Sequence, residues 1–301
     1  MLNKQSKILL TGASGFLGSY IYNYLNSKYN VTTLGRSKAS SIVCNISEAK
    51  VNLADNYQMV IHCAGKAHSI PKSKQEEKIF YDVNHKGTIN LCESLKPKLP
   101  STFVFISTIA VYGLDKGSNI REEEPLNGAT PYAKSKIMAE KFLQGWCKQK
   151  DINLVILRLP LVAGINPKGN LEAMINGIKK GYYFNISGND AKKSIVLADD
   201  VAKLIPNLYN KHGVYNLSGD RDYTFKQISE IIRKQLGKKR IITLSHFLVK
   251  ISSYVGNVIP FFPLNGDTVK KMTSTLTVSA NKAISELSWK PKALEDHFKI
   301  S

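Results

Sequence analysis

The sequence predicts an α/β protein built on a doubly wound parallel sheet, and three observations carry that expectation. First, an apolar run, Ile8 to Leu10, gives way to Gly12, Gly15 and Gly18, while Phe16, Leu17, Tyr20, Ile21, Tyr24 and Leu25 recur at helical spacing. That is strand, turn, helix. Second, further short apolar runs of strand length follow at "NVTTLG", Met59 to Cys63, Thr102 to Thr108 and "NLVILRLP". Third, the run ending at Cys63 leads into Ala64 and Gly65. Such small residues leave room at the carboxyl edge of a parallel sheet, where open α/β folds bind their ligands. The stretch after residue 163, "AGINPKGNLEAMINGIKKGYYFNISGNDAKKS", lacks long alternation and is expected to begin a second, smaller lobe.

A chain of 301 residues with 43% apolar content is long enough for one large core or two unequal lobes. Cys44, Cys63, Cys92 and Cys147 are scattered without a CxxC or zinc-type spacing, so neither a disulfide framework nor a structural metal is expected, and a reducing cytoplasm fits best. The N-terminal "MLNKQSKILLTG" has no long apolar segment before its first strand, which argues against a secretory signal. No uncharged apolar stretch reaches the roughly 18 residues of a membrane-spanning helix. The formal charge of +19 raises the question of a phosphate-rich partner. Its lysines are spread along the chain and not gathered into one arm, so nucleic acid is the weaker reading beside an anionic substrate or a membrane surface.

Glycines between a strand and a helix let backbone amides approach a pyrophosphate, and the helix N-terminus adds oriented N–H groups. Gly12, Gly15, Phe16, Leu17 and Gly18 are therefore candidate dinucleotide contacts. The next strand ends in Gly35 and Arg36, with no carboxylate before Glu48. An acidic strand end suits the ribose of NAD, whereas an arginine suits a 2′-phosphate, so NADP(H) is favoured over NAD(H). His62 and His68 have no ligand-spaced carboxylate and are read as structural or pocket-lining, not as metal ligands.

Three YxxxK spacings occur, Tyr24/Lys28, Tyr112/Lys116 and Tyr132/Lys136. About two are expected by chance in a chain this rich in both residue types, so context must decide. Tyr24 lies on the apolar stripe of the first helix, and Gly113 separates Tyr112 from Lys116 in a turn. Only Tyr132 and Lys136 follow helix-start chemistry, Thr130 as N-cap and Pro131 at the first position, which puts phenol and ammonium on one face. An ammonium beside a phenol favours the phenolate, the setting of an acid/base pair. Thr108 or Ser107, at the end of the preceding strand, would hold a substrate oxygen.

The motifs "TGASGFLG", "VIHCAG", "DVNHKGT", "ISTIAVYG", "PYAKSK", "LRLPLVAG", "KKSIVLADDVA" and "ANKAISELSWKP" stand in the order found in extended short-chain dehydrogenase/reductases, and this resemblance spans nearly the whole chain. It implies a Rossmann-type dinucleotide-binding domain in residues 1–163 and a substrate-binding lobe in 164–301, with segments near 191–218 returning to the sheet. It also implies Tyr132 as general acid/base, Lys136 as its partner and holder of the nicotinamide ribose, Thr108 as hydrogen-bond donor to the reacting oxygen, and Asn84 as their support. Asn45, Ala64, Gly65 and Pro160 match cofactor-contacting positions, with Asn45 replacing the usual Asp. Asn170 and Lys193 match positions that meet a nucleotide diphosphate, and a lysine there lacks arginine's bidentate fork. Dimers through the helix bearing Tyr132 are expected by the same analogy.

Within that family, dehydratases carry an Asp-Glu pair after the active-site threonine. Here Ile109 and Ala110 follow it, which argues against dehydration. The leading expectation is NADPH-dependent reduction of a UDP-linked 4-keto-hexose in bacterial surface polysaccharide synthesis. An NAD-dependent nucleotide-sugar 4-epimerase is the alternative, and a noncatalytic dinucleotide-binding regulator is a distant third. The apolar stretch His246 to Leu264 is expected to pack on the substrate lobe, with contact to a membrane as the sharper reading.

Overall fold

The computed structural model describes residues 2–67, 69–247, 249 and 266–300. His68 and most of the apolar stretch 246–264 lie outside the described residues. Strands β1 (Lys7–Thr11), β2 (Asn30–Gly35), β3 (Ile42–Val43), β4 (Met59–His62) and β5 (Thr102–Thr108) form a wholly parallel sheet with β7 (Asn153–Leu159) and β12 (Gly213–Asn216). Its order is β12-β7-β5-β4-β1-β2-β3, so the chain reverses its winding between β1 and β4. In such sheets that reversal opens a crevice outside the carboxyl ends of the two strands.

Helices cover both faces because successive residues of a fully buried strand point to opposite sides. Ile8 and Leu10 of β1 face α1 (Phe16–Asn26) and α6 (Ala198–Leu204), packing with Ile21, Leu25 and Val201. Leu9, between them, faces α3 (Gly87–Leu95) and α4 (Pro131–Gln149), packing with Leu91, Leu143 and Trp146. The result is a Rossmann-type fold. A short α2 (Lys74–Tyr81) runs through a π-helical turn, Asp82–Lys86, into α3.

The remaining strands among the described residues make three small sheets. β6 (Gly117–Ile120) joins β10 (Lys192–Lys193), β13 (Tyr223–Thr224) and β15 (Leu276–Val278); β8 (Leu161–Ala163) pairs with β11 (Ile195–Leu197); β9 (Phe184–Ile186) pairs with β14 (Ile242–Leu244). Within 191–218, α6 and β12 belong to the large sheet and its cover, whereas β10 and β11 stay in the small sheets. α5 (Asn170–Lys180) and α7 (Phe225–Gln235) share a separate core with Met174, Ile178, Ile228 and Ile232. Helices Gly266–Thr273, Asn281–Leu287 and Leu294–His297 complete the described chain.

Candidate active site

The glycine turn sits at the β1/β4 crevice and leaves no space for side chains. Gly12 has φ +75°, and a Cβ on it would lie 2.6 Å from the Ala64 backbone nitrogen, so the ends of β1 and β4 touch there. A Cβ on Gly18 would lie 2.0 Å from the Gly12 carbonyl oxygen. Helix α1 opens at Gly15 with no side-chain cap and no acidic residue in its first turn. Its first N–H groups therefore keep their capacity for an anion, and the tight cradle fits the diphosphate of a dinucleotide.

Beneath this turn, His62 is fully buried between two threonines, Nδ1 at 2.7 Å from Thr11 Oγ1 and Nε2 at 2.9 Å from Thr88 Oγ1. Thr11 Oγ1 also accepts the Ala64 amide at 3.2 Å. Burial pushes the imidazole down to about 3 and Lys136 adds to the shift, so it stays neutral at ordinary pH. The histidine is a structural strut under the candidate cofactor site.

Two steps along the sheet, β5 ends at Thr108 and α4 begins at Pro131. Thr130 caps α4 by accepting the Ala133 amide at 3.2 Å, which fixes where Tyr132 and Lys136 enter the site. Burial pushes the Tyr132 phenol up to about 12, and the neighbouring Thr108 hydroxyl partly offsets this by favouring the phenolate. Lys136 is buried, donates to the Ile106 carbonyl at 2.7 Å and lies 4.3 Å from the Phe105 ring centroid. Burial lowers this ammonium to about 8. Lys136 is turned toward the β5 backbone, and the lowering of the Tyr132 pKa expected from it is not expressed.

Asn84 is held in the π-helical turn with 1% exposure. Its amide donates to Ser135 Oγ at 2.9 Å and to the Lys66 carbonyl at 3.0 Å, while its oxygen accepts the Lys66 amide at 2.7 Å. A Cβ on Gly65 would sit 3.1 Å from Asn84 Oδ1 and 3.6 Å from Lys136 Nζ. The structure thus brings Ala64, Gly65, Asn84, Thr108, Tyr132 and Lys136 to one carboxyl edge of the sheet, beside the glycine turn.

Ser107 does not take the substrate-facing place expected of it. It is 4% exposed and donates to Glu140, so its hydroxyl faces inward and not toward a substrate. Alternation along β5 puts Thr108 and Ser107 on opposite faces. Glu140 is one turn beyond Lys136 on α4, and its buried carboxylate also takes Arg158 of β7, whose guanidinium reaches Tyr112 Oη at 3.1 Å. That pairing was invisible in the sequence, as was the bond from the Ile165 amide to Tyr20 Oη at 2.6 Å, which ties the loop after β8 to α1. The rival tyrosines have structural places: Lys28 Nζ lies 3.6 Å from the Tyr24 ring centroid, and Tyr112 donates to Asn216 Oδ1 at 2.7 Å.

The outlying candidates spread around this edge. Arg36 is exposed just past β2. Asn45 is engaged with Ser47 and, at 2.6 Å, with Glu48. Pro160 joins β7 to β8, and Asn170 opens α5. Lys193 lies 5.9 Å from the Phe225 ring centroid, its ammonium lowered by burial with Asp115 opposing that effect.

Comparison with known proteins agrees with this architecture. A UDP-glucose 4-epimerase of Vibrio cholerae is 26% identical, over 97% of this chain and 93% of that protein. An N-acetyl-alpha-D-glucosaminyl-diphospho-ditrans,octacis-undecaprenol 4-epimerase of Escherichia coli O157:H7 is 25% identical, over 77% and 73%. Among solved structures, UDP-glucose 4-epimerase from Thermotoga maritima with UDP-glucose superposes with a TM-score of 0.73 at 20% identity, over 96% and 95% of the two chains. RMD from Pseudomonas aeruginosa complexed with NADPH gives 0.73 at 20% identity, over 96% of each chain. The model of the NAD dependent epimerase/dehydratase family matches residues 8–218, more than half the chain, and the protein is an enzyme belonging to that family.

Proposed function

We propose that the protein is a 4-epimerase of a hexose carried on a nucleoside diphosphate, working with a resident nicotinamide dinucleotide. The observation that carries this reading is the meeting of Thr108, Tyr132 and Lys136 at the sheet edge next to a glycine cradle that no side chain can enter. Relatives matching this chain along nearly its full length are named 4-epimerases, which supports epimerisation over the ketoreduction favoured by sequence alone.

The cradle of Gly12, Gly15 and Gly18 with the N-terminus of α1 would hold the diphosphate of the dinucleotide. When bound, the nicotinamide supplies a reversible acceptor for the hydride of the sugar C4. Tyr132 would take the proton from the C4 hydroxyl and return it to the same oxygen in the product epimer. Thr108 donates to the same oxygen while it carries negative charge. Lys136 would bring its positive charge to this proton by turning from the Ile106 carbonyl toward the phenol one helical turn away, and Asn84 with Gly65 forms the wall against which Lys136 lies. No net oxidation results.

A second reading, NADPH-dependent reduction of a 4-keto-hexose, is favoured by one feature: Arg36 follows β2 where a carboxylate would otherwise meet the adenosine ribose. Incubation with UDP-hexoses and UDP-N-acetylhexoses, without added dinucleotide, separates the two by proton NMR. Interconversion of C4 epimers is expected. Inert UDP-hexoses, together with stoichiometric NADPH oxidation on a UDP-linked 4-keto-hexose, would overturn the epimerase reading.

A further inference from the structure

Charges that look scattered in the sequence converge at one end of the smaller lobe. α5 and α7 pack together, and each runs directly into a strand, β9 and β14, which pair in parallel with Phe184 opposite Ile242. Two parallel strands that each follow a helix bring both helix C-termini and both connecting turns, 181–183 and 236–241, to the same end. Lys179, Lys180, Lys234, Lys238, Lys239 and Arg240 meet there, all exposed. Neither 173–189 nor 231–250 contains an Asp or Glu. Among the described residues none of the six is in an ion pair; the nearby Glu230 is taken by Arg233 at 2.7 Å.

Part of this charge serves the helix ends, since cations in a last turn complement the helix dipole. Lys238, Lys239 and Arg240 lie beyond α7 and have no such role. Their turn is nevertheless held in place, because Arg233 Nη1 donates to the Lys238 carbonyl at 2.7 Å and to the Lys239 carbonyl at 3.2 Å. Beside them stand two large apolar side chains in water, Tyr182 at 59% and Ile242 at 56% exposure. Tyr182 packs one ring edge over Gly177, where a Cβ would lie 3.1 Å away, so its remaining face points outward from a fixed base.

We propose that this end of the smaller lobe docks on an anionic phospholipid bilayer, with the six cations against the headgroups and Tyr182 and Ile242 entering the interfacial layer. Charge complementarity identifies the partner class: a cation cluster without carboxylates, joined to an aliphatic and an amphipathic aromatic side chain, matches a negatively charged lipid surface. A nucleic-acid site would instead interleave stacking aromatics with its cations, and Tyr182 is the one exposed aromatic in these turns, its neighbour Tyr183 being half-buried.

Flotation of the full-length protein with vesicles tests this without any sugar substrate, so the result is independent of the reaction proposed above. Binding is expected to phosphatidylcholine vesicles containing phosphatidylglycerol, to weaken with added salt, and to be absent with phosphatidylcholine alone. Combining Lys238→Gln, Lys239→Gln and Arg240→Gln is expected to weaken partitioning about a hundredfold, at roughly fivefold per charge removed. Removing Lys148, Lys150 and Lys211, exposed on the large-sheet side, by the same substitution leaves it unchanged. Tyr182→Ala weakens binding at every salt concentration. No flotation with the anionic vesicles, equal loss in both triple variants, or equally tight binding of duplex DNA lost in the same Gln triple would overturn the proposal.

Discussion

Arg158 and Glu140 form a bidentate pair inside the protein, Nη2 to Oε2 at 2.8 Å and Nε at 3.3 Å from each carboxylate oxygen, with the side chains 4% and 0% exposed. The pair joins β7 to α4 directly below the residues proposed for catalysis. Ser107 donates to Glu140, and Tyr112 donates to Asn216 from the Arg158 side, so the network spans β5, β7, α4 and β12. Breaking one partner leaves the other charge buried. Glu140→Gln or Arg158→Met is expected to cost about 3–5 kcal/mol in denaturant unfolding, while the double variant Glu140→Leu/Arg158→Met recovers most of it.

Tyr132→Phe is expected to lower kcat about a hundredfold to ten-thousandfold, the usual contribution of a positioned acid/base, with an unchanged unfolding midpoint. Thr108→Val should follow it in direction, because the hydroxyl acts on the Tyr132 phenol and is proposed to hold the reacting oxygen. Rates on the C4 epimers, read by NMR, check both.

Two glycines on helices should respond oppositely to alanine. At Gly18 the added Cβ would meet the Gly12 carbonyl oxygen at 2.0 Å, so Gly18→Ala is expected to open the turn and to abolish dinucleotide retention on gel filtration. At Gly145 of α4 nothing lies within 4 Å of the built Cβ. Gly145→Ala is expected to stabilise the protein by about 0.5–1 kcal/mol.

His62 makes the fold acid-sensitive. Its ordinary pKa of 6.5 is lowered to about 3 in the folded chain, so between those values the unfolded chain binds the extra proton. Stability should therefore fall as pH drops from 6.5 toward 3, by about 1.4 kcal/mol per pH unit within that window. His62→Gln, which keeps two polar contacts between Thr11 and Thr88, should lack this slope when unfolding is measured across the window.

Lys136 acts at the other end of the scale. Its pKa of 10.5 falls to about 8 on folding because its ammonium is buried. The unfolded chain then holds more protons between pH 8 and 10.5, and stability contributed at this site rises with pH through that range. Comparing unfolding of wild type and Lys136→Met across it isolates the effect, with a rising difference expected in favour of wild type.

What the sequence by itself determined is local. Glycines between an apolar run and an amphipathic segment give the β1–turn–α1 unit, and Thr130 with Pro131 starts α4, because caps and turns depend on a few neighbouring φ/ψ choices. The motif order then pointed to the family whose model matches residues 8–218. What only the tertiary structure decided depends on which strands lie side by side. Ser107 turned inward because Glu140, 33 residues away, faces it across β5. His62 found Thr11 and Thr88 at separations of 51 and 26 residues. Lys136 chose the Ile106 carbonyl over the phenol beside it on the helix. The scattered lysines became one basic face only when β9 and β14 paired in parallel. Spacing along a chain fixes which side chains share a helix face, whereas sheet order and register fix what that face meets.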